Sequence, residues 1–376
     1  MSYRYANAMI KPGLNTLTAP TPTYTYSLYS WGRNNSGQLG LGSTTDYSSP
    51  MQVGSLTNWA TISCGNLHSL ATKTDGTLWS WGNNSQGQLG LGNRTAYSSP
   101  KQVGSLTTWL ITSCGRYHSA SIKIDGTLWS WGYNAQGQLG QGNTTNYSSP
   151  KQVGTLTNWK SVSAGYYFTI AIKTDGTLWA WGANAQGQLG QGNLTSYSSP
   201  KQVGSLTNWA SASCGIYFTT AIKSDSSLWS WGANYQGQLG IGNTTYYSSP
   251  KQVGSLTNWS AVSGGANHTL AIKTDGTLWS WGLNSSGQLG LGNTTYYSSP
   301  KQVGSLTTWS SVSGSQSYTV SIKTDGTLWS WGLNNYGQLG LGNQIQYYSP
   351  KQVGSLTTWG KLFKGCSTNS TLALQY

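Results

Sequence analysis

Around Trp81 the chain reads TLWSWG (77–82), with small Ser80 between two indoles. A period of two marks a strand with one buried face. Trp31, Trp81, Trp131, Trp181, Trp231, Trp281 and Trp331 stand fifty residues apart with no insertion between copies. The longer phrase KTDGTLWSWG recurs word for word from 73, 273 and 323, and as close variants from 123, 173 and 223. Each unit holds four strand-like runs, seen in TLWSWG (77–82), SPKQV (99–103), NWKSVS (158–163) and TLAIK (269–273), punctuated by Gly, Asn, Asp or Ser. Seven units of four runs predict 28 strands and almost no helix.

The Asp-Gly pair between TLAIK and TLWSWG predicts a two-residue type I′ hairpin, so those two strands are neighbours. A fixed repeat overrides the two or three domains that 376 residues would otherwise suggest. The fold class expected is all-β: a seven-bladed β-propeller of four-stranded antiparallel blades, which leaves no long open sheet edge. The chain enters the array at SLYSWG (27–32) and leaves it at TLALQY (371–376), so one blade lacks its Asp-Gly link and is shared by both ends. Residues 28–376 form the propeller, and residues 1–27 form an arm that Pro12, Pro20 and Pro22 keep extended.

The motifs LWSWGxNxxGQLGxGN, SPKQV and SxGxxHTxAIKxDG resemble the regulator of chromosome condensation repeat across residues 28–376. The resemblance implies a seven-bladed propeller with the WxxVSxG strand innermost. The C-terminus would then supply the inner two strands of the shared blade and the N-terminus the outer two. The repetitive, Glu-free copies resemble phage and bacterial members. Plant UV-B photoreceptors of the family carry a Trp in the GxxH loop; here that loop reads GNLH, GRYH, GYYF, GIYF and GANH, so light sensing is not expected.

Composition sharpens this picture. All 20 Trp fall at three repeat phases, which predicts an inter-blade core rather than a ligand-stacking surface. Charged residues make up 7%, yet 20 basic residues face seven Asp, and the net charge of +13 raises the question of a polyanionic partner. Six lysines lie in SPKQV (Lys101, Lys151, Lys201, Lys251, Lys301, Lys351) and six beside the Asp turn (Lys73, Lys123, Lys173, Lys223, Lys273, Lys323). Edge protection and solubility is the reading preferred for them, with nucleic acid, an anionic glycan or an acidic protein surface as the alternative. No apolar run approaches the ~18 residues needed to span a membrane, and the first 27 residues read as neither signal peptide nor anchor.

Catalytic chemistry is not expected. Six of the seven Asp occupy hairpin turns and form no pair for acid/base work. His68, His118 and His268 share a phase with Phe168, Phe218 and Tyr318, which predicts a packed, hydrogen-bonded core ring. Cys64, Cys114 and Cys214 alternate with Ala164, Gly264 and Gly314, which predicts tight packing; no metal site and no cofactor follow.

Strand alternation sends the GxxH loop and the long GQLGxGNxTxYSS loop to one face, and GSLTN and Asp-Gly to the other. Copies differ mainly on the first face. Candidate contacts there are Asn66, Leu67, Arg116, Tyr117, Tyr166, Tyr167, Ile216, Tyr217 and Asn267, with Arg94, Tyr246, Tyr296 and Gln344 from the long loops. Tyr and Asn suit adaptable recognition. The arm, with Tyr3, Arg4, Tyr5 and Ile10, would dock into a larger assembly by strand addition. The function expected is a non-enzymatic scaffold for protein or surface recognition, a structural or adhesive part of a phage virion or microbial surface. The alternatives are the family's guanine-nucleotide exchange and chromatin-binding role, with a cytoplasmic location, and secreted enzyme inhibition. Exchange factors of the family insert a wedge on longer loops, for which the constant spacing leaves no room.

Overall fold

The computed structural model describes residues 25–363, 365 and 368–376, so the arm residues Tyr3, Arg4, Tyr5 and Ile10 lie outside the described residues. Among the described residues 28 strands form seven four-stranded antiparallel sheets. The chain opens with β1 (Ser27–Gly32) and β2 (Tyr47–Gln52). The next four strands, β3 (Trp59–Cys64), β4 (His68–Lys73), β5 (Leu78–Gly82) and β6 (Tyr97–Gln102), make one blade, from the innermost strand outwards. Five further blades repeat that order every fifty residues. Innermost strands touch one another from blade to blade around the axis.

The last sheet closes the ring as expected: its order is β2, β1, β28 (Ser370–Gln375), β27 (Trp359–Leu362). Trp31 pairs with Thr371 and Leu28 with Leu374. Tyr26 takes the place of the missing Asp-Gly turn: its carbonyl accepts from Trp59 N at 3.2 Å, as Gly76 O accepts from Trp109 N at 3.0 Å. The ring of Tyr26 meets Tyr376 edge-on at 6.1 Å.

The hairpin turn departs from the expectation. Gly76 alone has a positive φ (+77°), Gly76 N donates to Lys73 O at 3.0 Å, and Lys73 N donates to Thr77 O at 3.0 Å. This is a type I turn with a glycine bulge, not type I′. The physical cause is the Asp75 carboxylate, which accepts from Thr77 N (2.9 Å) and Thr77 Oγ1 (2.6 Å) and so stabilises the wider turn.

Tryptophan fills the seams between blades. Leu70 and Leu78 of one blade pack with Trp109, Cys114 and Trp131 of the next. Each GQLG segment also clasps its neighbour: Gln88 O accepts from Trp131 Nε1 at 2.9 Å and from Ser119 Oγ at 2.7 Å. The seventh clasp joins the ends, with Gln338 O accepting from Trp31 Nε1 (3.0 Å) and Thr371 Oγ1 (2.8 Å). A Cβ on Gly264 would sit 2.9 Å from the backbone of Cys214, which explains why small residues occupy that phase from Cys64 to Gly314.

Candidate recognition face

Backbone hydrogen bonds define two faces. On one, Asn83 N donates to Leu67 O (2.8 Å) and ties the long loop to the GxxH loop. On the other, Thr74 N donates to Asn58 O (2.8 Å) and ties the Asp-Gly turn to the GSLTN link. Within the long loop the repeated Asn and Gln are structural. Asn84 Oδ1 accepts from Leu89 N (2.9 Å), and its Nδ2 donates to Asn93 O (3.1 Å) and Thr95 O (2.9 Å). Those side chains hold the backbone, so variation collects at the tips.

The histidines are core rings. His68, His118 and His268 are buried, and Nε2 lies 3.0 Å from Ser119 Oγ, 3.0 Å from Thr169 Oγ1 and 3.4 Å from Thr319 Oγ1 respectively. Each hydroxyl already gives its proton to a Gln carbonyl, so the imidazole Nε2 must donate. Nδ1 is buried in all three without a partner, and burial pulls each pKa down to about 3. These rings are neutral at neutral pH.

Cys64, Cys114 and Cys214 are free and buried; burial pushes the Cys114 thiol up to about 12. Cys366 lies outside the described residues. No group of three or more His, Cys, Asp or Glu that could hold a metal ion occurs among the described residues.

The two lysine rings have different fates. Lys73 is 7% exposed, with Nζ 3.7 Å from the Trp79 ring centre and 5.1 Å from that of Trp59. Lys123, Lys173, Lys223, Lys273 and Lys323 repeat this arrangement. That ring is committed to the blade by cation–π contact and is unavailable to a polyanion. Lys101 and its five equivalents are exposed on the outermost strands, 5.2–5.5 Å from the Tyr97-type rings.

The structure gathers part of the expected contact set into one cluster beside the axis. The Arg116 guanidinium carbon lies 4.2 Å from the Tyr166 ring centre, 4.7 Å from Tyr117 and 5.6 Å from Tyr167, and Arg116 Nη1 donates to Tyr167 Oη at 2.8 Å. Tyr166 continues to Tyr167 (4.8 Å between centres) and Tyr217 (5.6 Å). Burial, only partly opposed by Arg116, pushes the Tyr166 phenol up to about 12. Asn267 Oδ1 accepts from the Tyr235 hydroxyl, and Tyr235 packs on Tyr246 at 6.2 Å. Ile216 N donates to Ala266 O at 3.2 Å. Asn66 and Leu67 occupy the matching loop of the second blade and are half-buried. Arg94, Tyr296 and Gln344 stand exposed on long loops, and among the described residues no ring or hydrogen-bond contact joins them to the cluster.

Two members escaped the sequence reading. Tyr133 bridges Tyr117 (6.3 Å) and Tyr167 (5.8 Å), and Tyr235 joins Tyr246 to Asn267. Both sit in WGxNx, a stretch dominated by its constant Asn; the changes Arg33, Asn83, Tyr133, Ala183 and Leu283 before that Asn, and Asn35, Ser85, Ala135 and Tyr235 after it, were the available signal.

Residues 149–375 match the family described as the RCC1-like domain, and residues 27–72, 75–122 and 125–172 match the regulator of chromosome condensation (RCC1) repeat. The chain belongs to the RCC1-like repeat family. No curated protein sequence matches it significantly. Among solved structures it is similar to human WBSCR16 (20% identity, TM-score 0.83), covering 93% of this chain and 98% of that one. It is similar to Prp20p from Saccharomyces cerevisiae (20%, 0.82, 96% and 95%), studied for binding to Gsp1p and histones. It is also similar to yeast RCC1 (Prp20) bound to Kap60 (19%, 0.84, 100% and 96%). At these identities the likeness shows the fold alone.

Proposed function

We propose that this propeller is a recognition scaffold which displays its variable face to a partner and is held from the opposite face. The observation that carries the reading is the separation of the two faces. The Arg116–Tyr cluster and the varied long loops lie on one, while Tyr26 and Tyr376 lie together on the other, where turns and links scarcely change. A rigid ring with variation confined to one rim suits binding, since the ordering cost is met by the scaffold.

Within that reading, the repetitive Glu-free copies and the segment before Tyr26 favour a structural or adhesive component of a virion or microbial surface, with a protein partner in the larger assembly. Limited proteolysis tests the anchoring half. Cleavage within residues 1–24 should be fast in the free protein and suppressed in the native particle, and equal rates in both would contradict it.

Guanine-nucleotide exchange is a second reading, favoured by the likeness to Prp20p. Constant fifty-residue spacing argues against an inserted wedge. Stimulated nucleotide release from a small GTPase would support this reading over the first.

A further inference from the structure

Arg116 carries a charge that the fold does not answer. Its Nε is buried without a partner, Nη1 donates to the Tyr167 hydroxyl, and Tyr117 is a second hydrogen-bond partner, so part of the five-donor fork stays free. Six of the seven Asp sit in the hairpin turns of the opposite face, and Asp46, on the first blade, accepts from Asn34 N at 2.7 Å. Arg116 as a whole is half-buried, and holding a cation partly out of water without a counter-charge is unfavourable unless something else compensates. Three tyrosine rings compensate in part by cation–π attraction, and they fix the guanidinium in place.

A fixed guanidinium with unused donors suits a planar anion, and a carboxylate matches its fork. A phosphate dianion would call for a second cation, yet no lysine occurs in the loops of the three blades concerned, at 115–117, 133–146, 165–167, 183–196 and 215–217. The surroundings narrow the ligand further. Tyr117, Tyr133, Tyr166, Tyr167 and Tyr217 stand tilted or edge-on to one another, with neighbouring ring planes 52–79° apart, and so form walls. Burial raises the Tyr166 and Tyr167 phenols above their ordinary range. Such walls offer aromatic faces for sugar C–H groups and hydroxyls for sugar hydroxyls. Ile216 is the sole large aliphatic side chain of the inner loops there, too little to seat the apolar neighbours of an acidic residue in a protein interface.

We propose that Arg116 and the surrounding tyrosines bind the carboxylated sugar of an acidic glycan. This rests on the reading of the variable face as a recognition surface and names the chemistry of its centre.

The chain has four arginines, Arg4, Arg33, Arg94 and Arg116, so arginine-selective ¹⁵N labelling of the full chain gives few Nε–H signals to assign. The probes are trigalacturonate, N-acetylneuraminic acid and a hyaluronan hexasaccharide, set against galactotriose, acetate, inorganic phosphate and tetraglutamate. At least one acidic sugar should move the Arg116 signal saturably, at least ten-fold more tightly than acetate, phosphate or tetraglutamate, and galactotriose should leave it still. Arg116→Gln should weaken that binding at least ten-fold, and Tyr166→Ala several-fold, with tryptophan emission unchanged as the check on folding. Equal or tighter binding of tetraglutamate, phosphate or acetate would overturn the proposal, as would a motionless Arg116 signal with all three acidic sugars. Such a failure leaves the two-face reading to its own test, because that depends on where a partner touches and not on which group it presents.

Discussion

Replacing His118 by Phe should make the protein more resistant to acid. The buried imidazole has a pKa near 3 against 6.5 in the unfolded chain, because burial strips water from the charged form and His68 adds to the penalty, while a proton on Nδ1 would find no acceptor. The folded pKa is depressed, so below 6.5 the unfolded chain binds a proton that the folded one refuses. Stability is therefore fully present above about 6.5 and falls as pH drops toward about 3, by ~1.4 kcal/mol per pH unit for each such histidine. Three of them give a slope of ~4 kcal/mol per unit, enough to exhaust a stability of ~5–15 kcal/mol within ~1–4 units. The chain supplies its own control, since Phe168 and Phe218 occupy the same phase, and Gly165 cradles Phe168 as Gly115 cradles His118. Thr169 still donates to Gln138 O after the change, so no hydroxyl proton is stranded. Equilibrium urea unfolding at pH 7, 5.5 and 4.5 reads the slope. The single variant should lose about a third of it and the His68→Phe, His118→Phe, His268→Phe triple variant nearly all. The Asp turns do not blur this window. At Asp75 burial opposes ionisation, but the Thr77 donors outweigh it and hold the carboxyl below 3.8, so that contribution is lost only at lower pH. A flat stability from pH 7 to 4.5 in the unsubstituted protein, or an unchanged slope in the triple variant, would refute the reasoning.

Ser226 stands where other copies have Gly and holds φ at +63°, against +76° to +78° for those glycines. Ser226→Gly should stabilise by ~1 kcal/mol in urea unfolding, while Ser226→Ala should not, because relief comes from the left-handed backbone. Trp131→Phe removes the Nε1 donor to Gln88 O and leaves a void, and should cost ~2–4 kcal/mol in the same assay. Deleting residues 371–376 takes away most of the strand that joins β1 to β27; size-exclusion chromatography should show aggregation in place of a compact monomer.

Blade number, strand order and the shared closing blade were legible because period-two patterning and a rigid fifty-residue interval leave one economical arrangement. So were the roles of the His and Cys phases, since exchange with Phe, Tyr, Ala and Gly reports shape rather than chemistry. The Asp-Gly turn misled, because that dipeptide fits both a two-residue turn and a bulged one, and only the Thr77 bonds decide. The clasp at Gln88 was hidden for a different reason: its acceptor is a backbone carbonyl, which no side-chain pattern announces. Lys73 and Lys101 look alike in the sequence, yet one lies against two indoles and the other faces solvent. Tyr133 and Tyr235 were missed because contact across blades joins positions far apart in the repeat.

The separation of a presenting face from a holding face is most directly tested by hydroxyl-radical footprinting of the protein, free and attached to its native particle or cell surface with the receptor bound. Receptor binding should protect Tyr117, Tyr133, Tyr166, Tyr167, Tyr217 and Tyr235 and leave Leu56, Leu106 and Leu156 of the opposite links, each nearly half exposed, at their free-state reactivity. Protection of those leucines by the receptor, with the tyrosines unchanged, would contradict it.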